Sequence, residues 1–293
     1  MELRVLRYFL AVVREESITR AAEALHLTQP TLSRQIMELE EEHGAPLLIR
    51  GSRNQGIALT EKGMLLRRRA EELVELADKT QMELTSGEET LSGEVHIGGG
   101  ETQGMRLLAK TACQLHAEHP AVSYHLFSGN GEDVRERLDR GLLDFGIIIG
   151  NTSLSKYETL RLPPQDTWGL VMRRDHPLAG RQSIRPADIM EVPLLVSRQR
   201  LADETFGGWA GKAQARLNVV CTYNLIYNAA LMVEENLGCA VALEGLIDRT
   251  SHSGLCFVPF EPRLESHLDV AWKRYAPLSK PAEAFLERLR RLC

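Results

Sequence analysis

Residues 17–44 read SITRAAEALHLTQPTLSRQIMELEEEHG, and this stretch determines the fold of the N-terminal part of the chain. Ser17 and Thr28 each have the side chain of a helix N-cap, and each stands before a run with the apolar spacing of a helix. Pro30 is tolerated in the first turn of a helix, where a missing N–H group costs little. The stretch therefore predicts two helices joined by a short turn at residues 26–27, which is the helix-turn-helix arrangement.

The second of these helices has two distinct faces. At 100° per residue, Leu32, Ile36 and Leu39 fall on one side and are expected to pack in a core. The other side carries short polar groups and one cation: Gln29, Pro30, Thr31, Ser33 and Arg34. Arginine and glutamine can hold a base edge through paired hydrogen bonds, whereas serine and threonine bind phosphate or either base. This face is predicted to contact the major groove of DNA, and a role of Arg34 in binding only phosphate stays open.

A β-hairpin wing is predicted directly after the helix pair. Residues 45–60, APLLIRGSRNQGIALT, read as two short strands around a turn at residues 51–56. Arg50 and Arg53 lie at this turn with no acid between them, and we expect them to contact the DNA backbone or the minor groove. Residues 50–69 carry six basic side chains and one acidic one, although the whole chain has a formal charge of −5. The positive charge is thus concentrated beside the predicted reading helix, although the arginines at 67–69 are also consistent with a solvated helix face.

A long helix is predicted to begin after Thr60 and to run towards residue 85. Its apolar positions follow the rhythm of a coiled-coil seam, with dimerisation residues at Leu66, Ala70, Leu73, Ala77 and Leu84. Such a seam predicts pairing of this helix with a second copy of the chain. The alternative is an amphipathic helix that packs on its own domain, because about three heptads are the minimum for a coiled-coil assignment.

The pattern changes after a polar, glycine-punctuated linker at residues 86–93 (SGEETLSG). Short apolar strands then alternate with amphipathic helices, and the run at residues 142–150 (LLDFGIIIG) is of the buried parallel type. Alternation of this kind predicts an open α/β sheet. A second set of strands begins near residue 166, so two α/β lobes are the economical interpretation.

Ligands of an open α/β sheet bind at the carboxyl ends of the strands, where loops and helix N-termini expose backbone N–H groups. Five predicted strands end in such turns. The candidate binding residues are Gly100, Glu101, Thr102 and Gln103, then Ser128, Gly129 and Asn130, then Gly150, then Ser197 and Arg198, and finally Thr222, Tyr223 and Asn224. The glycines at 98–100 lack the complete dinucleotide-binding spacing, so no nucleotide cofactor is expected.

An ordered set of residues in the N-terminal part of the chain resembles the DNA-binding domain of LysR-type transcriptional regulators. The set comprises Ala21 and Ala22, Leu25, residues 28–36 (TQPTLSRQI), residues 38–40 (ELE), Gly44, Leu47, Leu48, Arg50 and residues 59–63 (LTEKG). Residues 142–149, 176–179 and 232–243 are similar to segments of that family's effector domain.

The resemblance implies an N-terminal, mainly α winged helix-turn-helix, a long dimerising linker helix and a two-lobed α/β effector domain like the type 2 periplasmic binding proteins. It also implies a homodimer or homotetramer on promoter DNA, a small-molecule effector between the lobes, and RNA polymerase as a partner if the protein is an activator. The corresponding boundaries are residues 1–60, 61–87 and 88–293, with one lobe at about 93–162 and 266–293 and the other at about 163–265.

The first turn of the effector domain departs from the family pattern. The family often has serine or threonine there, and many of its effectors are carboxylates. Thr102 can still serve, but Glu101 adds a negative charge that opposes an anion unless Arg198 or another cation balances it. We therefore expect an effector that is amphoteric, cationic or neutral.

Other classes of protein are disfavoured by the sequence. No hydrolase elbow, P-loop or zinc-protease motif is present, and His116 and His119 lack further ligands, so no enzyme, cofactor or metal site is expected. The five cysteines are an odd number with no C-x-x-C, and thiol oxidation as the signal stays an open alternative. Charges inside the apolar N-terminal run favour a cytoplasmic protein over an exported solute-binding protein, and no apolar run is long enough to cross a membrane.

Overall fold

The computed structural model describes residues 1–49, 57–85, 91–150, 155–163, 165–201, 204–247 and 254–293, without the side chains of residues 82–85, 204, 212 and 213. The chain divides into two compact units, Met1–Thr85 and Ser86–Cys293. Within the described ranges, every helix is too short or too polar to cross a bilayer.

The first unit is mainly helical. Its elements are α1 (Leu3–Glu15), α2 (Ile18–Ala24), α3 (Gln29–Glu42), β1 (Leu48–Ile49), β2 (Ala58–Leu59) and α4 (Glu61–Thr85). Both predicted N-caps are present. The Ser17 hydroxyl accepts a hydrogen bond from the Arg20 N–H at 3.3 Å, and the Thr28 hydroxyl accepts one from the Thr31 N–H at 3.4 Å.

Small side chains allow α2 and α3 to cross closely. Ala21 and Ala22 are fully buried where α2 packs against its neighbours. Leu32, Ile36 and Leu39 of α3 are buried in the same core, as their spacing predicts. Burial of one face of α3 fixes which residues its other face presents to solvent.

The wing is anchored to α3 by a carboxylate. Strands β1 and β2 pair antiparallel, with Leu48 opposite Leu59, and the predicted turn at residues 51–56 lies outside the described residues. One oxygen of Glu40 accepts hydrogen bonds from the N–H groups of Leu47 at 2.8 Å and Leu48 at 3.0 Å. The start of the wing is therefore held against the helix that carries the predicted DNA face.

The second unit contains two sheets, of which the first is built from β3 (Gly93–Gly99), β4 (Val122–Ser128), β5 (Phe145–Ile149), β6 (Tyr157–Arg161) and β13 (Leu268–Lys273). Their order is β4-β3-β5-β13-β6, and β3 runs parallel to both β4 and β5. Helices α5 (Met105–Glu118), α6 (Gly131–Asp139) and α10 (Lys280–Leu292) accompany this sheet. Helices α5 and α10 share one apolar core with it, around Phe145, Trp272 and Phe285.

The second sheet consists of β7 (Asp166–Arg173), β8 (Pro193–Ser197), β9 (Asn218–Tyr223), β10 (Cys239–Leu243), β11 (Leu255–Pro259) and β12 (Glu265–Ser266). The order is β11-β7-β10-β8-β9, and β12 pairs with β7. Helices α7 (Arg198–Leu201), α8 (Glu204–Ala210) and α9 (Ile226–Glu234) belong to this part of the chain. The two sheets form the two lobes that the alternation of strands and helices predicts.

Gly63 is required where α4 begins beside the wing. A Cβ atom at this position would lie 2.1 Å from the Leu47 carbonyl oxygen, which accepts a hydrogen bond from the Thr60 N–H at 3.0 Å. We expect Gly63→Ala to lower the free energy of unfolding of the first unit by about 1–3 kcal/mol, because backbone atoms must shift. Urea denaturation, monitored by the helix signal in circular dichroism, measures the change in stability.

Gly180→Ala is the control for this prediction, because nothing lies within 4 Å of a Cβ atom built at Gly180. It should leave the unfolding curve essentially unchanged. Equal stability of Gly63→Ala and the parent chain would contradict the close approach at α4.

Candidate nucleic-acid interface and ligand cleft

The residues predicted to contact DNA lie together on the first turns of α3. Gln29, Pro30, Thr31 and Arg34 are exposed, and Ser33 is half-buried. The hydroxyls of Thr31 and the capping Thr28 are 2.7 Å apart, so the start of the helix is tied to its own cap. The exposed side of this turn therefore offers amide, hydroxyl and guanidinium groups from a rigid backbone.

Arg34 has an acidic neighbour that the sequence interpretation did not consider. Its Nε donates to Glu38 Oε1 at 3.0 Å, and Gln35 Nε2 donates to Glu38 Oε2 at 2.7 Å. The Arg34 side chain is 77% exposed, and an exposed pair of this kind contributes little stability. A phosphate or a base edge can therefore replace Glu38 at small cost. The sequence contains the signal for this pair, because side chains four residues apart are neighbours on a helix.

The other basic residues considered for DNA contact lie in the wing turn and on α4. Arg50 and Arg53 lie outside the described residues. Within α4, Arg67 Nε lies 3.0 Å from Glu71 Oε1, and Arg69 Nη1 lies 2.9 Å from Glu72 Oε2. These pairs favour the solvated-face interpretation of residues 67–69.

The predicted seam of α4 is divided between a core and an open surface. Leu66 packs against the core of the first unit, and Ala70 is fully buried there, so Ala70 is unavailable to a second chain. Leu73 is 42% exposed and, with Ala77, lines an apolar groove of about 750 Å³ between α1 and α4. The groove is completed by Met1, Leu3, Leu6, Leu76, Thr80 and Gln81. The side chain of Leu84 lies outside the described residues.

Within the second unit, the loop after β3 reaches from the first lobe to the second. The Glu101 carboxylate accepts a hydrogen bond from the N–H of Ile226, the first residue of α9. The Gln103 amide donates to the Gly245 carbonyl oxygen. Glu101 is thus paired with the positive end of a helix, whereas Arg198, the cation expected to balance it, is exposed. These two hydrogen bonds join the loop after β3 to the second lobe.

Thr102 ties the same loop to a buried carboxylate. Its hydroxyl donates to Asp166 Oδ2 at 2.5 Å and accepts a hydrogen bond from the Gly104 N–H at 3.0 Å. Asp166 begins β7 and is only 4% exposed. Burial raises the pKa of this carboxyl group above its usual value, and the hydrogen bond from Thr102 offsets part of the rise.

A buried cation near the cleft was missed from the sequence. Arg200 is 4% exposed, and its guanidinium carbon lies 3.8 Å from the centre of the Trp168 ring. Its Nη2 donates to the Ser266 hydroxyl at 3.2 Å. Burial raises the pKa of Tyr223, the charge of Glu101 raises it further, and the charge of Arg200 lowers it. A carboxylate, a phenol and a guanidinium therefore act on one another in this region.

Several of the other predicted cleft residues have structural roles. The Asn130 side chain caps α6 by accepting from the N–H groups of Glu132 at 2.9 Å and Asp133 at 3.0 Å. The Ser197 hydroxyl accepts from the Arg200 N–H at 3.1 Å. The Gly129 N–H donates to the Gly99 carbonyl oxygen, and the Gly150 N–H donates to the His267 carbonyl oxygen.

The remaining predicted cleft residues differ in exposure. Gly100 is half-buried. Three side chains are exposed and carry polar groups that a ligand could reach: Ser128, Thr222 and Asn224.

The five cysteines of the second unit differ in burial, and the buried Cys239 is poorly suited to thiol chemistry. Burial raises the pKa of the Cys239 thiol to about 12, which disfavours the reactive thiolate. Cys221 and Cys256 are half-buried, whereas Cys113 and Cys293 are exposed.

Comparison with known proteins assigns both units to one family. Residues 3–64 match the family described as bacterial regulatory helix-turn-helix protein, lysR family, and residues 88–293 match the LysR substrate binding domain. The chain belongs to the LysR family. It is a DNA-binding transcriptional regulator with an effector-binding substrate domain.

Relatives and solved structures agree with this assignment. The chain is 28% identical to YvbU of Bacillus subtilis over 244 residues, which is 83% of this chain and 82% of YvbU. It is 34% identical to OxyR of Escherichia coli over 197 residues, which is 67% of this chain and 63% of OxyR. Its fold is similar to full-length CbnR crystallised with its target DNA, with a TM-score of 0.77, 20% identity and full coverage of both chains.

The raised pKa of Asp166 predicts a specific pH dependence of stability. Because the folded protein disfavours the ionised form, the contribution of this group to the free energy of unfolding is greatest below its unfolded pKa of about 3.9 and is lost as the pH rises through the folded pKa. Asp166→Asn should remove that decline while keeping an oxygen that accepts from Thr102. Urea denaturation of the parent protein and of Asp166→Asn between pH 4 and pH 7 measures this decline in stability. Equal dependence of stability on pH in the two proteins would contradict the raised pKa of Asp166.

Proposed function

We propose that this regulator reads double-stranded promoter DNA with the exposed first turns of α3 in the major groove. The contacting residues would be Gln29, Pro30, Thr31, Ser33 and Arg34, with Arg50 and Arg53 on the backbone or in the minor groove. The observation that supports this proposal is the burial of Leu32, Ile36 and Leu39, which leaves the polar side of the helix outermost. The hydrogen bonds that the Glu40 carboxylate accepts from the N–H groups of Leu47 and Leu48 support the placement of the wing beside α3.

The regulator is proposed to bind DNA as a homodimer or homotetramer. The apolar groove between α1 and α4 supports pairing of α4 with a second copy, because exposed leucines in one stripe lose water when two such helices meet. Leu73 and Ala77 would lie in this interface, with Leu84 further along the helix. Leu66 and Ala70 instead join α4 to its own unit. In this proposal, the first part of α4 packs on its own unit and the later part pairs with a second copy of the chain.

A small-molecule effector is proposed to bind between the two lobes of the substrate domain. The carboxylate of Glu101 in the loop after β3 suits an effector that is amphoteric, cationic or neutral. The effector would alter DNA binding by its different affinity for two arrangements of the protein. The lining would come from the loops after the strands: Gly100, Glu101, Thr102, Gln103, Ser128, Gly129, Asn130, Gly150, Ser197, Arg198, Thr222, Tyr223 and Asn224.

The remaining features of the proposal follow from this role. The DNA-binding domain would span residues 1–60, the linker helix 61–87 and the effector domain 88–293, with lobes at about 93–162 plus 266–293 and at about 163–265. The break between the compact units after Thr85 supports the second boundary. The protein would act in the cytoplasm without enzymatic activity, and an activator of this kind would contact RNA polymerase.

Arg34→Ala tests the DNA face directly. We expect the variant to bind its operator more weakly by about 1–3 kcal/mol if Arg34 reads a base. Fluorescence anisotropy with the operator and with a scrambled duplex of equal length measures both affinities. Loss only on the operator would show base readout, whereas equal loss on both duplexes with a shallower salt dependence would show a phosphate contact.

Glu38→Gln is the matched control for Arg34→Ala. It removes the negative charge beside Arg34 while an amide oxygen remains to accept its hydrogen bond, so operator affinity should be retained or increased. Unchanged binding by Arg34→Ala to both duplexes would exclude Arg34 from the interface.

Leu73→Glu tests the proposed pairing of α4. A charge in the apolar groove should shift the chain towards monomer at micromolar concentrations, because the carboxylate would have to lose water at the interface. Sedimentation velocity measures the change. Met64→Glu is the control, because Met64 is 55% exposed on α4 but does not line the groove, and it should leave the association state unchanged. The same association state in Leu73→Glu and Met64→Glu would contradict the proposed pairing of α4.

A further inference from the structure

Three side chains with metal-ligating atoms meet on the first-lobe sheet. Glu94 and His96 lie on β3, and His125 lies on the neighbouring parallel strand β4. The register places His96 directly opposite His125. The predicted cleft loops follow the carboxyl ends of these strands, whereas this cluster lies further back along them.

Alternation along β3 explains why the three groups share a face. Val95 and Ile97 point into the core that α5 and α10 share with the sheet, so Glu94 and His96 point to the other side. Among the described strands of this sheet β4 is at the edge, and the His125 side chain is 55% exposed. An ion can therefore reach the cluster from solvent without opening the core.

The ligand atoms already converge. Glu94 Oε2 lies 3.2 Å from His96 Nε2, and Glu94 Oε1 lies 3.1 Å from His125 Nε2. All three groups offer a ligand atom within 4.8 Å of the others. Ligand atoms placed about 2.1 Å from one tetrahedral ion are about 3.4 Å apart, and each imidazole nitrogen already lies near that distance from one of the two Glu94 oxygens. Rotation of the exposed His125 side chain can supply the remaining adjustment.

The backbone beneath the cluster is held in place. The His96 N–H donates to Asp144 Oδ2 at 2.8 Å, and the Asp144 N–H donates to the His96 carbonyl oxygen at 2.9 Å. The two imidazole rings stack with centroids 4.8 Å apart and planes inclined by 15°. Ligands whose positions are fixed before binding lose less entropy when the ion arrives.

We propose that Glu94, His96 and His125 bind a divalent transition-metal ion of the zinc class. Two imidazole nitrogens and one carboxylate oxygen suit zinc and its neighbours, whereas magnesium and calcium prefer sites made of oxygen ligands. Three protein ligands leave one tetrahedral position for water or a small anion. The ion would join edge strand β4 to β3 and stabilise the first lobe, because it binds the folded arrangement and not the unfolded chain.

The sequence does not show this site because its ligands are far apart along the chain. Glu94 and His96 are two residues apart, and His125 comes from another strand after an intervening helix. Only the parallel register of β3 and β4 brings them together. His116 and His119 are closer to each other in the sequence than His96 is to His125, but they do not belong to this cluster.

The test is zinc binding by the full-length, tag-free chain after removal of metals with a chelator. Exposed thiols also bind zinc, so the measurements use a Cys113→Ser, Cys293→Ser background. Isothermal titration should show one Zn²⁺ per chain. His125→Ala should weaken this binding by more than about 10-fold, since the loss of even an outer hydrogen-bond partner of a ligand costs that much. Glu94→Gln, which keeps the side-chain shape, should weaken it similarly.

His119→Ala is the matched control, because it removes an imidazole of the same lobe outside the cluster, and its binding should equal that of the background chain. Circular dichroism melts in chelator should coincide for all chains, and zinc should raise the melting temperature of the background chain but not of His125→Ala. Absence of stoichiometric binding, or equal affinity in the background chain and His125→Ala, would overturn the proposal.

Discussion

The burial of one face of α3 is the constraint on which the DNA-binding unit depends. Leu32, Ile36 and Leu39 can leave water only if the helix lies with that side inward, so its polar side must face outward. The small residues of α2 permit this packing, because larger side chains would separate the two helices. Glu40 then fixes the wing relative to α3 through two backbone N–H groups. The outward orientation of the polar side of α3 is thus a consequence of core packing.

The substrate domain relies on a different kind of interaction, in which polar groups of one lobe satisfy groups of the other. Glu101 accepts from the first N–H of α9, and Thr102 donates to the buried Asp166. Burial raises the pKa of Asp166 and so costs free energy near neutral pH, and the hydrogen bond from Thr102 offsets part of that cost. An effector that supplied its own groups to these positions would shift that balance.

Much of this architecture follows from sequence pattern, and the exceptions have physical reasons. The caps Ser17 and Thr28 and the buried face of α3 follow from local rules, and the family resemblance confirms the fold class. Strand β6 escapes the pattern because most of its side chains are exposed and it lacks an apolar run. Arg200 escapes because only the fold buries a charged side chain beneath Trp168. The partner of Glu101 escapes because the helix end that pairs with it is more than a hundred residues away along the chain.

We propose that two copies of α3 read two related stretches of DNA. Selection of duplexes from a randomised pool by the full-length chain, followed by hydroxyl-radical footprinting of the enriched sequences, tests it most directly. We expect inverted half-sites whose centres are separated by about 10–10.5 base pairs or a multiple of that spacing, with protected backbone at both half-sites. Enriched sequences without dyad symmetry, or the failure of any sequence to be enriched, would contradict it.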